Sequence, residues 1–163
     1  MFHSQVVRLV STALVLTAAA GSAVRADPLA VQQQLQDALA RGDVSGAVAL
    51  FTDDAVIDSE SGQCASAPCT GKVAIQKDLE RYVTDKSRHV TTLNFYVSGE
   101  VLVTRFEARS AMTQKAGVDR IILWGIREMR GDKIASSRCC MPERTDAQTA
   151  RFVNWEYAHP SVN

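Results

Sequence analysis

From Ala38 to Leu79 the chain changes local structure repeatedly within a short span, and that order constrains the fold more than any other feature. A helix closes on Gly42, where a left-handed residue just past the last turn is wanted. Asp43 is placed to cap a second, short helix whose Val44, Ala47, Val48 and Phe51 share one face. Asp53 and Asp54 are expected to turn the backbone from that helix into a strand. A small loop carrying Cys64 and Cys69 follows, and Gly71 opens a third helix, from Lys72 to Thr84, with Ile75, Leu79, Tyr82 and Val83 inward.

The elements on either side extend this pattern. A first helix is predicted from Pro28 to Ala40, with Val31, Leu35, Ala38 and Leu39 as its apolar stripe. Beyond the third helix the period changes from helical to alternating. Arg88 to Ser98, Val101 to Gln114, Val118 to Arg130 and Lys133 to Met141 read as strands rich in Val, Ile, Thr and aromatics. Turn residues separate them at Ser98-Gly99-Glu100, Ala116-Gly117 and Gly131-Asp132, so an antiparallel meander is expected. Thr145-Asp146-Ala147-Gln148 reads as a capping box that starts a last helix reaching Tyr157.

The N-terminus reads as an address. Leu9 to Ala20 is apolar and Ala-rich, shorter than the roughly 20 residues a bilayer span needs. Val24-Arg25-Ala26 puts small residues at the third and last positions before a cleavage site. Residues 1–26 are therefore expected to be a secretory signal peptide, leaving 27–163 as a single domain that is secreted or periplasmic. The formal net charge is zero and no Lys/Arg run stands out, which disfavours nucleic acid and anionic membrane surfaces as partners.

Four cysteines in an exported chain are first of all disulfide candidates. The Ala-Ser-Ala-Pro spacer favours Cys64–Cys69, with Cys139 and Cys140 reduced, because a bridge between adjacent cysteines is strained. A cross-link from the loop to Cys139 or Cys140 is the main rival. A four-cysteine zinc site lacks the spacer such sites use, and no cofactor or metal is expected.

The run from Ala38 to Leu79 resembles the nuclear transport factor 2-like superfamily and, within it, the SnoaL-like branch. The resemblance implies an α+β cone, with N-terminal helices packed into the concave face of a curved, mostly antiparallel sheet. It also implies a pocket, used in that superfamily by isomerases, dehydratases, cyclases, epoxide hydrolases and binding modules. In ketosteroid isomerases the general base ends a run like D-D-A-x-V-E-D. Laid over Asp53-Asp54-Ala55-Val56-Ile57-Asp58-Ser59, that aspartate falls on Ser59, while the two oxyanion-hole positions fall on Leu35 and Trp124. None of these three can do that chemistry, so steroid isomerisation by that route is disfavoured.

Strand alternation nominates the pocket lining. Leu102, Thr104 and Phe106 form the less charged face of their strand and are assigned to the concave side. Alignment to the family puts Trp124 there too, and with it Ile122, Ile126 and Glu128. Ser59, Ser137 and Cys139 complete the expected lining. Glu128 and Asp58 are the candidate acid–base groups, since a carboxylate in an apolar pocket has a raised pKa. The alternatives are a cross-strand ion pair for Glu128 and a solvated strand end for Asp58 and Glu60. His89 is expected at the surface.

Two function classes follow. One is a domain that binds a small apolar molecule in its cone without turnover. The other is a cofactor-independent isomerase, dehydratase or hydrolase on a small lipophilic substrate, with a pocket carboxylate as acid–base. A homodimer through the convex sheet face, centred on Val101, Val103, Ile121 and Leu123, is compatible with either.

Overall fold

The computed structural model describes residues 27–60 and 63–160. The expected signal peptide and its cleavage site lie outside the described residues. Helix α1 (Pro28–Ala40) starts on Asp27, whose carboxylate accepts a hydrogen bond from the Leu29 N–H at 3.0 Å. Its inward stripe is Val31, Leu35 and Ala38, joined by Gln32. Gly42 lies past its end at φ +71°, a conformation a Cβ would oppose. Asp43 caps α2 (Val44–Ala49) by accepting from the Gly46 N–H at 2.8 Å.

Strand β1 (Phe51–Ser59) begins two residues after α2. Asp53 and Asp54, expected in a turn, are strand residues. Each is held at the surface by a cation, Asp53 by Lys72 at 2.6 Å and Asp54 by Arg130 at 2.9 Å. A short 3-10 turn (Gln63–Ala65) and the two-residue strand β2 (Cys69–Thr70) lead into α3 (Gly71–Thr84).

The meander follows as β3 (His89–Ser98), β4 (Val101–Arg109), β5 (Ile121–Arg130) and β6 (Lys133–Pro142). The second strand is shorter than the sequence predicts. Ser110 ends it with a capping box to Thr113, and α4 (Ala111–Lys115) fills the stretch expected to stay extended. Helix α5 (Ala147–Ala158) is capped by Asp146 rather than Thr145, one residue later than the expected box.

The sheet order is β2-β1-β6-β5-β4-β3. All neighbours run antiparallel except β1 and β6, which pair in parallel after the two helices and four strands that come between them in the chain. Register shifts interrupt the β1–β6, β3–β4 and β5–β6 ladders, and such bulges bend a sheet. One core joins Val31 and Leu35 of α1, Ala47 of α2, Phe51 and Ile57 of β1, Ile75 and Leu79 of α3, and Met129 and Ile134 of the central strands. A second gathers Val118, Ile121 and Leu123 around Phe152 of α5, with Phe106 and Met112 at its margin. The helices therefore lie over one face of the sheet, and the space between them and β3–β4 is what remains open.

The expected Cys64–Cys69 pairing is present. The expectation that Cys139 and Cys140 stay reduced is corrected, because their sulfurs are joined. Cys140 sits at φ +70°. That backbone breaks the alternation which sends adjacent strand side chains to opposite faces, and it lets the two sulfurs meet.

Candidate functional site

Two contacts define the inner face of the sheet. Thr104 of β4 shares a cleft with α1, and Arg127 of β5 donates from Nη1 to the Gln32 Oε1 of α1 at 2.6 Å. Residues directly opposite one another in a ladder share a face. Leu102 lies opposite Arg127, Thr104 opposite Gly125, Phe106 opposite Leu123, and Ala108 opposite Ile121. On the other side of β5, Arg127 lies opposite Ser137, which in turn lies opposite Ile57, and Ser59 lies opposite Cys139. Leu102, Thr104, Phe106, Ser137, Cys139 and Ser59 therefore share the inner face.

The expected assignment of β5 is corrected. Ile122, Trp124, Ile126 and Glu128 lie opposite Glu107, Arg105, Val103 and Val101, on the outer face. Both faces of this strand are apolar at one end, so alternation offered little contrast. The residue that decides the register is a charged one, Arg127, which the rule of putting the less charged face inward excludes. Ile121 and Leu123, expected at a convex interface, are instead buried against Phe152.

On the outer face Trp124 belongs to a polar clamp. Arg105 grips Glu143 with two hydrogen bonds, Nε to Oε2 at 2.6 Å and Nη2 to Oε1 at 2.9 Å. The Trp124 indole N–H donates to the same Oε2 at 2.9 Å, and the Arg105 guanidinium lies 5.9 Å from the indole ring centroid. The hydrogen bonds from Arg105 hold the Glu143 carboxyl below its ordinary pKa. Glu128 is exposed. Asp58 is half exposed, 3.6 Å from Arg138, and shares the outer face with it. Glu60 and His89 are exposed as well. Neither expected acid–base carboxylate reaches the inner face.

The cleft itself has a volume of about 260 Å³. Leu29, Gln32, Gln33 and Gln36 of α1 form one wall, and Thr92, Leu93, Phe95 and Thr104 of β3 and β4 form the other. A hydrogen bond from Gln36 Nε2 to Thr92 Oγ1 at 2.9 Å ties the walls together. Strand β3 is exposed along its whole length, so its Leu93 and Phe95 line the cleft without belonging to either core. Thr104 is 2% exposed, and its hydroxyl has no hydrogen-bond partner. The Arg127 Nε is likewise sealed from solvent and unpartnered. Burial lowers the Arg127 pKa to about 10, against a smaller opposing pull from Tyr82, so the guanidinium keeps its charge at neutral pH. The Tyr82 hydroxyl is pushed up by its own burial. Arg127, Gln32 and Tyr82 were not foreseen as site residues. The available signal was an arginine between Gly125 and Met129 on an otherwise apolar face of its strand.

Among the described residues no group of His, Cys, Asp and Glu is arranged to hold a metal ion. None of the described helices is long and apolar enough to cross a membrane.

A curved, mostly antiparallel sheet with its N-terminal helices on one face defines a nuclear transport factor 2-like domain. Within that superfamily the chain belongs to the SnoaL-like domain family, whose model matches residues 31–137. Several solved structures share the fold. A candidate polyketide cyclase from Sinorhizobium meliloti is 17% identical, with a TM-score of 0.57 over 70% of this chain and 99% of that one. An NTF2-like protein of unknown function from Mesorhizobium loti is 12% identical, with a TM-score of 0.59 over 71% and 90%. A computationally designed 17-OHP binder is 18% identical, with a TM-score of 0.56 over 69% and 88%. A search of curated proteins finds no match. At these identities the likeness carries the fold alone.

Proposed function

We propose that this chain is an exported domain that binds a small, largely apolar molecule in the cleft between α1 and the inner face of β3–β4. The observation that carries the reading is the composition of that cleft. Leu29, Leu93 and Phe95 supply apolar surface, a few amide and hydroxyl groups supply polarity, and no carboxylate is in the described lining. Apolar walls with a few fixed polar groups are the usual make-up of a small-molecule site. The alternative of a carboxylate-driven isomerase, dehydratase or hydrolase loses support, because Glu128 and Asp58 lie on the outer face. The fold's use in a computationally designed 17-OHP binder is compatible with a binding role here.

Export is supported by the signal-like N-terminus and by the two sulfur pairs, which persist in oxidising compartments. A second copy of the chain is the proposed protein partner. The outer face of β3–β5 offers Tyr96, Val101, Val103 and Ile126 around the Trp124 clamp for an isologous contact.

Calorimetric titration with a panel of small apolar molecules tests the binding reading. Saturable binding that is weakened by Phe95→Ala is the expected result. Binding that is indifferent to Phe95, or absent across the panel, would remove the cleft as a ligand site.

A further inference from the structure

We propose that Arg127 and Thr104 form an anion-recognising end to the cleft, so that its ligand is a small apolar acid whose carboxylate they hold. This rests on the ligand-binding reading above and adds the chemical class of the ligand.

The strand arginines provide the contrast. Arg105 lies 2.6 Å from Glu143, Arg109 2.8 Å from Glu107, Arg130 2.9 Å from Asp54 and Arg138 3.6 Å from Asp58. Arg127 is half-buried with its guanidinium desolvated, yet among the described residues it faces no carboxylate, and its single side-chain hydrogen bond goes to the neutral Gln32 amide. A buried charge left without a counter-charge is costly, and chains keep such groups paired or put them to use.

The residues that carry the unpaired donors are diagonal neighbours in the sheet. Thr104 faces Gly125, two residues along β5 from Arg127 and on the same face. Diagonal neighbours of this kind are about 7–8 Å apart at the backbone, within reach of a long side chain. The Thr104 hydroxyl and the Arg127 Nε–H are both buried and unpartnered. A carboxylate is acceptor-only and carries two oxygens, so it can take both donors at once and neutralise the guanidinium. An alcohol or ester could fill the same space but would leave the charge uncompensated. Gln32 lines the cleft and also accepts from Arg127, so it connects the open apolar part to the buried cation. Leu29, Leu93 and Phe95 would then take the hydrocarbon tail.

The experiment is calorimetric titration of the full mature protein with octanoate and, separately, with 1-octanol, which has the same tail and no charge. The wild type should prefer octanoate by roughly tenfold or more, the range of a charge-assisted hydrogen-bond pair. Arg127→Gln should bring octanoate down to the affinity of octanol, and Arg127→Lys should keep part of the preference. Thr104→Val, close in shape, should weaken octanoate while leaving octanol little changed. Should Arg127→Gln fail to fold, the wild-type comparison and Thr104→Val still decide the question. Equal affinity for the two ligands in the wild type, or a preference that survives Arg127→Gln, would overturn the anion site and leave the apolar cleft standing. Binding of neither ligand would overturn both readings.

Discussion

Arg127 sets an energetic problem at the scale of one residue. Burial lowers its pKa from the ordinary guanidinium range to about 10, which corresponds to a cost on the order of 3 kcal/mol for the charged form. Folded and unfolded chains both carry this charge at neutral pH, so the cost is constant there. It is relieved only as pH rises past about 10, where the folded state releases the proton before the unfolded state does. Arg127→Met, without ligand, is therefore expected to raise stability by about 1–3 kcal/mol, even though Gln32 loses its donor. Thermal unfolding of both proteins at pH 7 checks this. A lower midpoint in the variant would mean that the Gln32 bond outweighs the buried charge. Glu128 is the opposite case. It is exposed on the outer face, so Glu128→Gln should leave stability within about 0.5 kcal/mol and leave ligand affinity unchanged. A large loss of binding in that variant would contradict the face assignment.

At the scale of elements, α5 is pinned by a relay that starts at its cap. Asp146 Oδ1 accepts from the Thr149 N–H at 2.9 Å and from the Thr149 hydroxyl at 2.8 Å. Thr149 Oγ1 accepts in turn from the backbone N–H of Ile122 at 2.8 Å, and Arg120 Nη1 reaches Asp146 Oδ2 at 3.2 Å. Thr149 is fully buried, so losing the cap also disturbs the join between helix and sheet. Asp146→Ala should cost about 1–2 kcal/mol in denaturant unfolding at pH 7. The Thr149 N–H bond is the main cause holding the Asp146 carboxyl below its ordinary 3.8. A depressed carboxylate contributes stability that is present above its unfolded pKa and lost as pH falls through the folded value. The wild type should therefore lose this contribution below about pH 4, whereas Asp146→Asn, which still caps, should show a flatter acid limb. Identical acid limbs would show that Asp146 does not report on folding. The sequence locates α5 but misplaces its cap by one residue, because Thr145 and Asp146 are both competent caps and only the contacts to Thr149 and Arg120 choose between them. The end of β4 was missed for a related reason. Ser110 and Thr113 form a box without the Glu or Gln that usually marks one.

At the scale of the whole molecule, the outer sheet face is proposed to meet a second copy. Val103 lies opposite Ile126 and Tyr96, at the middle of that face. Val103→Lys should shift the sedimenting species of the mature protein toward monomer while its circular dichroism stays unchanged. A wild type that sediments as a monomer at all concentrations would dispose of the dimer. Non-reducing peptide mapping of exported protein should recover Cys64 joined to Cys69 and Cys139 joined to Cys140. Free thiols at the second pair would restore the expectation drawn from the sequence.

Local signals in the chain determine most of the architecture, because they act over a few residues and need no partner. Helix α1 spans the predicted Pro28 to Ala40, Gly42 and Asp43 separate it from α2, and β3, β5 and β6 begin within three residues of their expected starts. The Cys64–Cys69 pair was legible from its spacer, and the concave side of β4 from its lower charge. The face of β5 was not legible. Period-two alternation describes two faces but does not name the inner one when both are apolar. Only the packing of Gln32 against Arg127 settles it, and that contact joins residues far apart in the chain. The state of Cys139 and Cys140 also depended on tertiary structure, since it turns on the left-handed backbone of Cys140 within a paired strand. The site's chemistry moved with these choices, from an outward glutamate to a buried arginine, because a one-residue change of register exchanges every side chain a strand presents to the cavity.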